Sequence, residues 1–296
     1  MIKFLKYKKI YYTFSIILIL GSIFSLAFFG LNFGIEFTGG SIMKVSYEEI
    51  RPSSDDIKKS LLALGIEEVI VQPVDDNGFV IRMSEISKET YEKIATELRG
   101  GTKDYFEFIG PAIGRELGDR ALISIVVASL SIIIYIAVTF GGIGNQNMKS
   151  WKYGVVAVGL GFLHDVLIVL GFFTIFGYFF DVRLTIPIAV ALLTVLGYSI
   201  NDTVVIFDRI RENIVKNPKL IFSDIVEKST NETVGRSINT SFTTLLVLIP
   251  VFFFGGEALK WFILAMIMGI SLGTYSSLFL AGPLLVSWFN LNKKNV

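Results

Sequence analysis

The sequence predicts an α-helical polytopic membrane protein with six transmembrane helices and one exterior α+β domain. The 296 residues are 52% hydrophobic and 18% charged, and the mean hydropathy is +0.63, so the chain is far more apolar than a soluble globular protein. Six stretches approach the about 20 apolar residues that cross about 30 Å of hydrocarbon. A long polar segment separates the first two of them. The six stretches are 12–31, 121–140, 154–176, 184–207, 238–254 and 261–288.

The first apolar stretch follows four lysines, a pattern that is also typical of a secretory signal. No small-residue cleavage pattern follows the stretch, and five more apolar stretches come later in the chain. The sequence therefore predicts an uncleaved membrane anchor at this position.

Basic residues mark alternate connections between the predicted spans. The N-terminus, the loop with Lys149 and Lys152, the loop 209–228 and the C-terminal tail are basic, whereas residues 32–120 hold 17 acidic and 11 basic residues. By the positive-inside rule, the basic connections are cytoplasmic and both termini lie in the cytoplasm. The predicted organisation is a cytoplasmic N-terminus with the first helix at 1–31, an exterior domain at 32–120, five transmembrane helices at 121–289 and a cytoplasmic tail at 290–296.

The exterior segment carries the pattern of a small soluble domain. Ser53 or Ser54 is expected to cap one helix, Ser87 is expected to open a second, and Asp75-Asp-Asn-Gly78 predicts a hairpin turn. The resulting order, βαββαβ, is that of the ferredoxin-like fold. Alternating apolar residues place the strands around 43–47, 69–71, 79–83 and 106–108.

The exterior segment contains no nucleophile or metal-binding cluster in its sequence, and the whole chain lacks cysteine. A binding or lever domain is therefore favoured over an enzyme active site. We expect no cofactor, no metal and no nucleic-acid partner.

Asp202 is the most informative residue of the fourth apolar stretch. A carboxylate near the middle of a membrane helix costs about 2.5 to 3.5 kcal/mol on insertion scales, so it indicates a functional site facing the bundle interior. Asn201 lies beside it. Arg236 and Thr240, four residues apart on one face of the fifth span, offer an opposite charge at a similar depth. The sequence therefore predicts a site formed by Asp202, Arg236, Asn201 and Thr240.

His164 and Asp165 form a second ionisable group, in the third span. Two interpretations stay open: hydrogen bonding that holds the helix bundle together, or a relay for protons. Because adjacent residues of an α-helix point about 100° apart, we expect that both cannot face one pathway. In the loop after the fourth span, residues 216–231 are expected to form either an amphipathic helix along the membrane surface or a plain linker helix.

Several long motifs, in order, resemble the SecF family, the smaller membrane subunit of a bacterial accessory complex for protein secretion and a relative of proton-driven RND transporters. Glu36 departs from the aspartate that the family often shows there. The motifs are GIEFTGG at 34–40, GPAIGREL at 110–117, His164-Asp165, GYSINDTVVIFDRIREN at 197–213, SINTSFTT at 237–244 and GTYSSLFLAGPLL at 273–285.

The resemblance implies a subunit of the bacterial inner membrane that works with a SecD-like subunit. It implies that the proton motive force helps to draw preproteins through the SecYEG channel, with membrane lipids around the spans. Asp202 and Arg236 match the charged pair of the family that is thought to serve proton passage. The implied role is transport rather than chemical catalysis.

Two other functions remain open at this stage. A half-transporter could export a small molecule or a lipid, as related RND proteins do, although six spans make only half of such a transporter. A passive scaffold could stabilise its partner without using the gradient. An Asp202→Asn variant separates the scaffold from the coupling role, and co-purification with a SecD-like chain argues against the exporter.

Overall fold

The structure is a computed structural model that describes residues 2–47, 52–66, 69–74, 77–84, 86, 88–98, 101–140 and 151–294. Its packing divides the chain into two compact units, Met1–Asn32 together with Ser124–Val296, and Phe33–Ile123. Parts of three sequence predictions lie outside the described residues: the hairpin residues Asp75 and Asp76, the helix start at Ser87, and the loop residue Lys149.

A four-stranded antiparallel sheet is the centre of the unit Phe33–Ile123. The strands lie in the order β2-β3-β1-β4, so that β1 pairs with both β3 and β4. This strand order and the helices between the strands confirm the predicted ferredoxin-like arrangement. The elements are α2 (Ile35–Thr38), β1 (Gly40–Tyr47), α3 (Ser54–Ala63), β2 (Ile70–Val74), β3 (Gly78–Met83), α4 (Lys88–Glu97) and β4 (Gly101–Ile109).

The core of this unit lies between one face of the sheet and the two longer helices. Alternate residues of the central strands point into it, because side chains in a strand alternate between faces. The Ser53 hydroxyl accepts a hydrogen bond from the Asp56 amide at 3.2 Å, which confirms the predicted helix cap. The fully buried core residues include Met43, Val45, Leu61, Ile81 and Ile94.

The glycine-rich segment before β1 makes a close backbone contact with the helix that follows β4. Gly39 has φ of 77°, a left-handed conformation that residues with a side chain rarely adopt. A Cβ on Gly114 would lie 2.9 Å from the Gly39 nitrogen and 3.0 Å from the Phe37 carbonyl. The GIEFTGG motif at 34–40 and the GPAIGREL motif at 110–117 therefore meet within this unit. The contact requires glycine at Gly39 and at Gly114.

Glu36 lies in the same glycine-rich segment, and burial raises the pKa of its carboxyl above the ordinary value of 4.5. The folded state then binds the proton more tightly than the unfolded chain. Stability is therefore greatest with the carboxyl protonated and falls as pH rises through 4.5 towards the raised value. We expect Glu36→Gln to slow amide hydrogen exchange in β1 at pH 7 but not below pH 4.5. An equal effect at both pH values would contradict this expectation.

Within the part of the chain that the structure describes, six helical segments are long and apolar enough to cross a membrane, as the sequence predicted. The segment from 111 is a single helix that runs into the second span, also as predicted. The segments consist of α1 (Lys8–Phe29), α5 (Pro111–Thr139), α6 (Trp151–Gly159) with α7 (Leu167–Phe180), α8 (Ile186–Lys216), α9 (Phe222–Phe254), and α10 (Glu257–Ser276) with α11 (Gly282–Lys294). Among the described residues, two of these spans contain π-helical turns: the first π segment (Leu160–Val166) and the second π segment (Ser277–Ala281).

The interpretation of 216–231 as a separate helix is wrong. After Lys216 the chain turns, and from Phe222 it forms one continuous helix, α9, that runs through the fifth span. Ile225 and Val226 are buried within the bundle, so the apolar side of this segment packs on protein. The apolar side of this segment therefore reflects packing against other helices, and not contact with the membrane surface.

Small residues bring α1 close to α7, and α8 close to α10. A Cβ on Gly171 of α7 would lie 2.6 Å from the Ser22 Cα of α1. A Cβ on Gly273 of α10 would lie 2.8 Å from the Ser199 Cβ of α8. Such contacts are the usual way for membrane helices to gain van der Waals packing.

Candidate functional site

Asp202 lies on the interior face of α8, halfway along an unbroken helix. Only 4% of the residue is exposed, and its Oδ2 atom has no hydrogen-bond partner in the described part of the chain. The Ser237 hydroxyl of α9 is buried beside this carboxylate and interacts favourably with it, although the two groups do not reach full hydrogen-bonding geometry. Buried polar atoms without partners are rare and costly, so this pair of atoms requires an explanation.

Arg236 lies next to Ser237 on α9 and is exposed on the outside of the bundle. Its positive charge is near enough to act on the Asp202 carboxylate. Among the described residues, however, the two side chains are not joined by an ion pair. Asp202 and Arg236 thus lie on neighbouring faces of two packed helices, but their side chains do not form an ion pair.

The other two predicted site residues lie near this carboxylate but make different contacts. Asn201 is exposed on the outer side of α8. The Thr240 hydroxyl donates to the Arg236 carbonyl at 2.9 Å, and the Thr240 carbonyl accepts a hydrogen bond from the Tyr198 hydroxyl at 3.0 Å. Sequence reasoning missed Tyr198, which joins α8 to α9. Tyr198 could have been found from the sequence, because a tyrosine inside an apolar span needs a hydrogen-bond partner for its buried hydroxyl.

Charged residues at the far ends of α8 and α9 form a separate group. Arg209 lies 2.7 Å from Glu232 and also pairs with Glu212, while Asn213 donates to Glu232 at 2.7 Å. These contacts tie the two helices together beyond the apolar stretch. Charged residues in such numbers are typical of helix ends near the membrane–water interface.

His164 and Asp165 meet in the first π segment. The His164 Nδ1 and Asp165 Oδ1 atoms are 2.7 Å apart, and Nε2 is 3.1 Å from the Ser15 hydroxyl of α1. The Ser199 hydroxyl of α8 donates to Asp165 Oδ2, and the Ser276 hydroxyl of α10 lies 2.9 Å from the same atom. The two ionisable residues thus belong to one buried network.

The His164 and Asp165 side chains contact each other although the residues are adjacent in the chain. The expectation that both cannot face one pathway stays a prediction, because these contacts define a network and not a pathway. Sequence reasoning also missed the three partner serines. They are single hydroxyls in apolar spans, which is a weak signal because small residues also serve helix packing.

The charged and polar side chains of both clusters do not resemble a metal centre. Among the described residues, no three histidine, cysteine, aspartate or glutamate side chains lie together so that they could hold a metal ion. The carboxylate of Asp202 and the imidazole of His164 can bind protons and form hydrogen bonds.

Two family models match the chain. The model for the C-terminal region of the protein export membrane proteins SecD and SecF matches residues 90–291, and the model for the SecD/SecF GG motif matches residues 24–49. The chain belongs to the SecF branch of the SecD/SecF family. The protein translocase subunit SecF of Thermobaculum terrenum is 38% identical, over 98% of this chain and 95% of that protein. The SecF subunit of Sebaldella termitidis is 36% identical, over 96% of this chain and 90% of that protein.

Solved structures of SecDF share this fold. The crystal structure of SecDF, a translocon-associated membrane protein from Thermus thermophilus, has a TM-score of 0.84 and 32% sequence identity. The match covers 98% of this chain but only 39% of that one. A SecDF structure in a super-membrane-facing form has a TM-score of 0.70 and 31% identity. Membership in the SecF family makes this chain a multi-pass membrane subunit related to protein translocation.

Proposed function

We propose that this chain, together with a SecD-like subunit, uses the proton motive force to promote export of proteins through the SecYEG channel. The observation that carries the proposal is the Asp202 carboxylate, which is 4% exposed and has one oxygen without a hydrogen bond. An ionised carboxylate in that position is costly, and a proton removes the cost. Asp202 is therefore suited to bind and release a proton during a cycle.

The local geometry suggests what each protonation state does. A proton on Asp202 Oδ2 could be donated to the Ser237 hydroxyl, which satisfies both buried atoms at once. Loss of that proton leaves a negative charge beside α9, where Arg236 is the nearby cation. Deprotonation then favours approach of the two side chains, and protonation favours their separation. Asn201 lies on α8 and Thr240 lies on α9. Both side chains would therefore move when the two helices repack.

Each proton that moves down 100 mV supplies about 2.3 kcal/mol, which is enough to shift a two-state equilibrium tens-fold. This energy would bias the repacking of α8 against α9. We propose that the movement reaches the exterior ferredoxin-like domain, which then acts on the translocating preprotein. The exterior domain serves as a lever or binding module in this account and carries out no catalysis.

A SecD-like partner is expected on the exposed side of α8 and α9. Arg236, Asn201 and Thr243 are exposed polar residues within the spans. Polar groups that face lipid are costly, and groups in membrane proteins that cannot be buried within one chain pair with a neighbour. The apolar residues on the outer side of α1 and α5 would instead face membrane lipids.

We propose that both termini lie in the cytoplasm and that the chain resides in the inner membrane of a bacterium. The Asn231 side chain binds the main chain of Ile2 through two hydrogen bonds, at 2.7 and 2.8 Å. The N-terminus and the start of α9 therefore lie on one side of the bundle. The N-terminus and the connection 209–228 that leads into α9 are both basic, and the positive-inside rule assigns basic connections to the cytoplasm.

Export into sealed vesicles tests the proposed function. Vesicles would contain SecYEG, the SecD-like subunit and this chain, and translocation of a preprotein would be measured with and without a proton gradient. We expect the gradient to raise the yield several-fold only when this chain is present. If the yield of exported preprotein stays the same after an ionophore collapses the gradient, the coupling role is contradicted. The passive scaffold would then be the remaining function.

A further inference from the structure

We propose that Lys152, Trp151 and Trp288 form a binding site for the headgroup phosphate of an anionic phospholipid. These three residues are called the lysine–tryptophan site below. The site shares no residue with the site at Asp202, and it does not depend on the proposed coupling role. It requires only that the chain spans a membrane, as its six apolar helices and its family indicate.

Lys152 is a buried cation that lacks an acidic partner. Only 8% of the residue is exposed, and its Nζ atom lies 5.1 Å from the centre of the Trp288 ring. Among the described residues, no carboxylate forms an ion pair with it. The preceding segment, 141–150, contains no acidic residue in its sequence. Because a buried charge is costly unless an opposite charge balances it, a negatively charged ligand would stabilise this lysine.

The place of Lys152 at the end of two spans indicates where such a ligand comes from. The apolar stretch 154–176 begins just after Lys152, and the apolar stretch 261–288 ends at Trp288. Trp151 is 44% exposed, and its ring packs edge-on against Trp288 with the centroids 5.8 Å apart. Tryptophan is enriched at the level of the lipid headgroups. An anion that reaches Lys152 at this level is therefore the phosphate of a phospholipid.

The lysine–tryptophan site lies at the same end of the bundle as the basic N-terminus. The Tyr12 hydroxyl, at the start of α1, lies 3.2 Å from the hydroxyl of Ser287, the residue before Trp288. Four lysines precede Tyr12 in the chain. Basic pockets at one membrane face bind anionic headgroups, whereas the ammonium of a zwitterionic lipid would be repelled by this surplus of positive charge. The site is therefore expected to prefer a lipid with a net negative charge.

The Trp288 ring also fixes the position of the ammonium group. A lysine near the end of a membrane helix usually extends its side chain towards water. The Lys152 side chain is instead buried, with its ammonium held against the face of an indole ring. An ammonium group has three hydrogens, so those that point away from the ring can donate to phosphate oxygens. The arrangement thus holds a hydrogen-bond donor ready for a phosphate before the lipid binds.

Thermal unfolding in lipid nanodiscs tests the proposal. The full chain would be placed in discs of phosphatidylcholine alone or of phosphatidylcholine with phosphatidylglycerol, and native mass spectrometry would count the lipids that remain bound. We expect phosphatidylglycerol to raise the unfolding temperature of the unmodified chain and of Lys152→Arg. For Lys152→Gln we expect that rise to disappear and the retained phosphatidylglycerol to fall several-fold. No rise for the unmodified chain would overturn the proposal without any variant.

Lys260→Gln is the matched control. Lys260 also lies over a tryptophan ring, 5.8 Å from the centre of Trp261, but it is only half-buried. Trp261 packs on Phe176, at the other end of the third span. We expect this variant to keep the full response to phosphatidylglycerol. An equal loss in Lys260→Gln and Lys152→Gln would show a general attraction of charges and would contradict a specific site.

Two further results would also overturn the proposal. If Lys152→Gln lowers the unfolding temperature by the same amount in both lipid mixtures, Lys152 has a structural role only. If inorganic phosphate added to discs of phosphatidylcholine stabilises the unmodified chain as much as phosphatidylglycerol does, the site binds free phosphate and not a lipid. Neither measurement uses a proton gradient, so neither result bears on the role of Asp202.

Discussion

Asp202→Asn is expected to abolish stimulation of export by the proton gradient while leaving assembly with the SecD-like subunit intact. Asparagine fills nearly the same volume in α8 but cannot bind and release a proton. The yield of exported preprotein in vesicles should therefore fall to the level measured without a gradient, a loss of several-fold. The amount of partner that co-purifies should stay the same, because the side chain is interior to this chain.

Asp208→Asn is the matched control for this experiment. It makes the same chemical change six residues further along α8, at an exposed aspartate that lies 3.7 Å from Arg211. Exposed ion pairs contribute little free energy, so we expect normal export and normal gradient dependence. Full stimulation in the Asp202→Asn protein would exclude a coupling role for this carboxylate.

Gly171→Leu is expected to prevent accumulation of the folded chain in membranes. A Cβ at this position would lie 2.6 Å from the Ser22 Cα and 2.5 Å from the Ser22 hydroxyl oxygen, so backbone must move. The α1 helix would separate from α7, and the hydrogen bond from Ser25 to the Gly171 carbonyl, at 3.1 Å, would be strained. Gly171→Ala should already lower the free energy of unfolding by about 1–3 kcal/mol.

Gly159→Ala provides the comparison within the same span. A Cβ at Gly159 would meet no other atom within 4 Å, and alanine is the better helix former. We expect unchanged or slightly higher stability, measured by thermal unfolding of the detergent-solubilised chain. Equal losses for Gly171→Ala and Gly159→Ala would show that the crossing of α1 and α7 is not a tight contact.

The fold could be predicted from the sequence because the spacing of apolar residues along the chain indicates membrane spans and strands without knowledge of tertiary contacts. Apolar stretches of about 20 residues mark spans whatever their neighbours are. Alternation and the Ser53 cap mark the exterior strands and a helix in the same way. The segment after Lys216 was interpreted wrongly because its apolar face fits either a membrane surface or a protein interior. Only the tertiary contacts of Ile225 and Val226 decide between them.

The candidate site could be predicted only in part. Asp202 is evident from sequence because a carboxylate in an apolar run is costly. Its facing hydroxyl, Ser237, depends on how α8 packs against α9, which no local pattern encodes. His164 and Asp165 meet within a π-helical segment, which no local pattern of the sequence predicted. The network around Ser15 joins residues more than 100 positions apart, so it exists only in the folded bundle.

Proton movement through the assembled complex tests the role of Asp202 most directly. Vesicles that contain this chain and its SecD-like subunit would hold a pH-sensitive dye, and the rate of proton entry would follow an imposed gradient. The account predicts proton entry above the rate of empty vesicles for the unmodified chain and for Asp208→Asn, and no such excess for Asp202→Asn. An undiminished rate for Asp202→Asn would contradict the proposal that protons pass by way of this carboxylate.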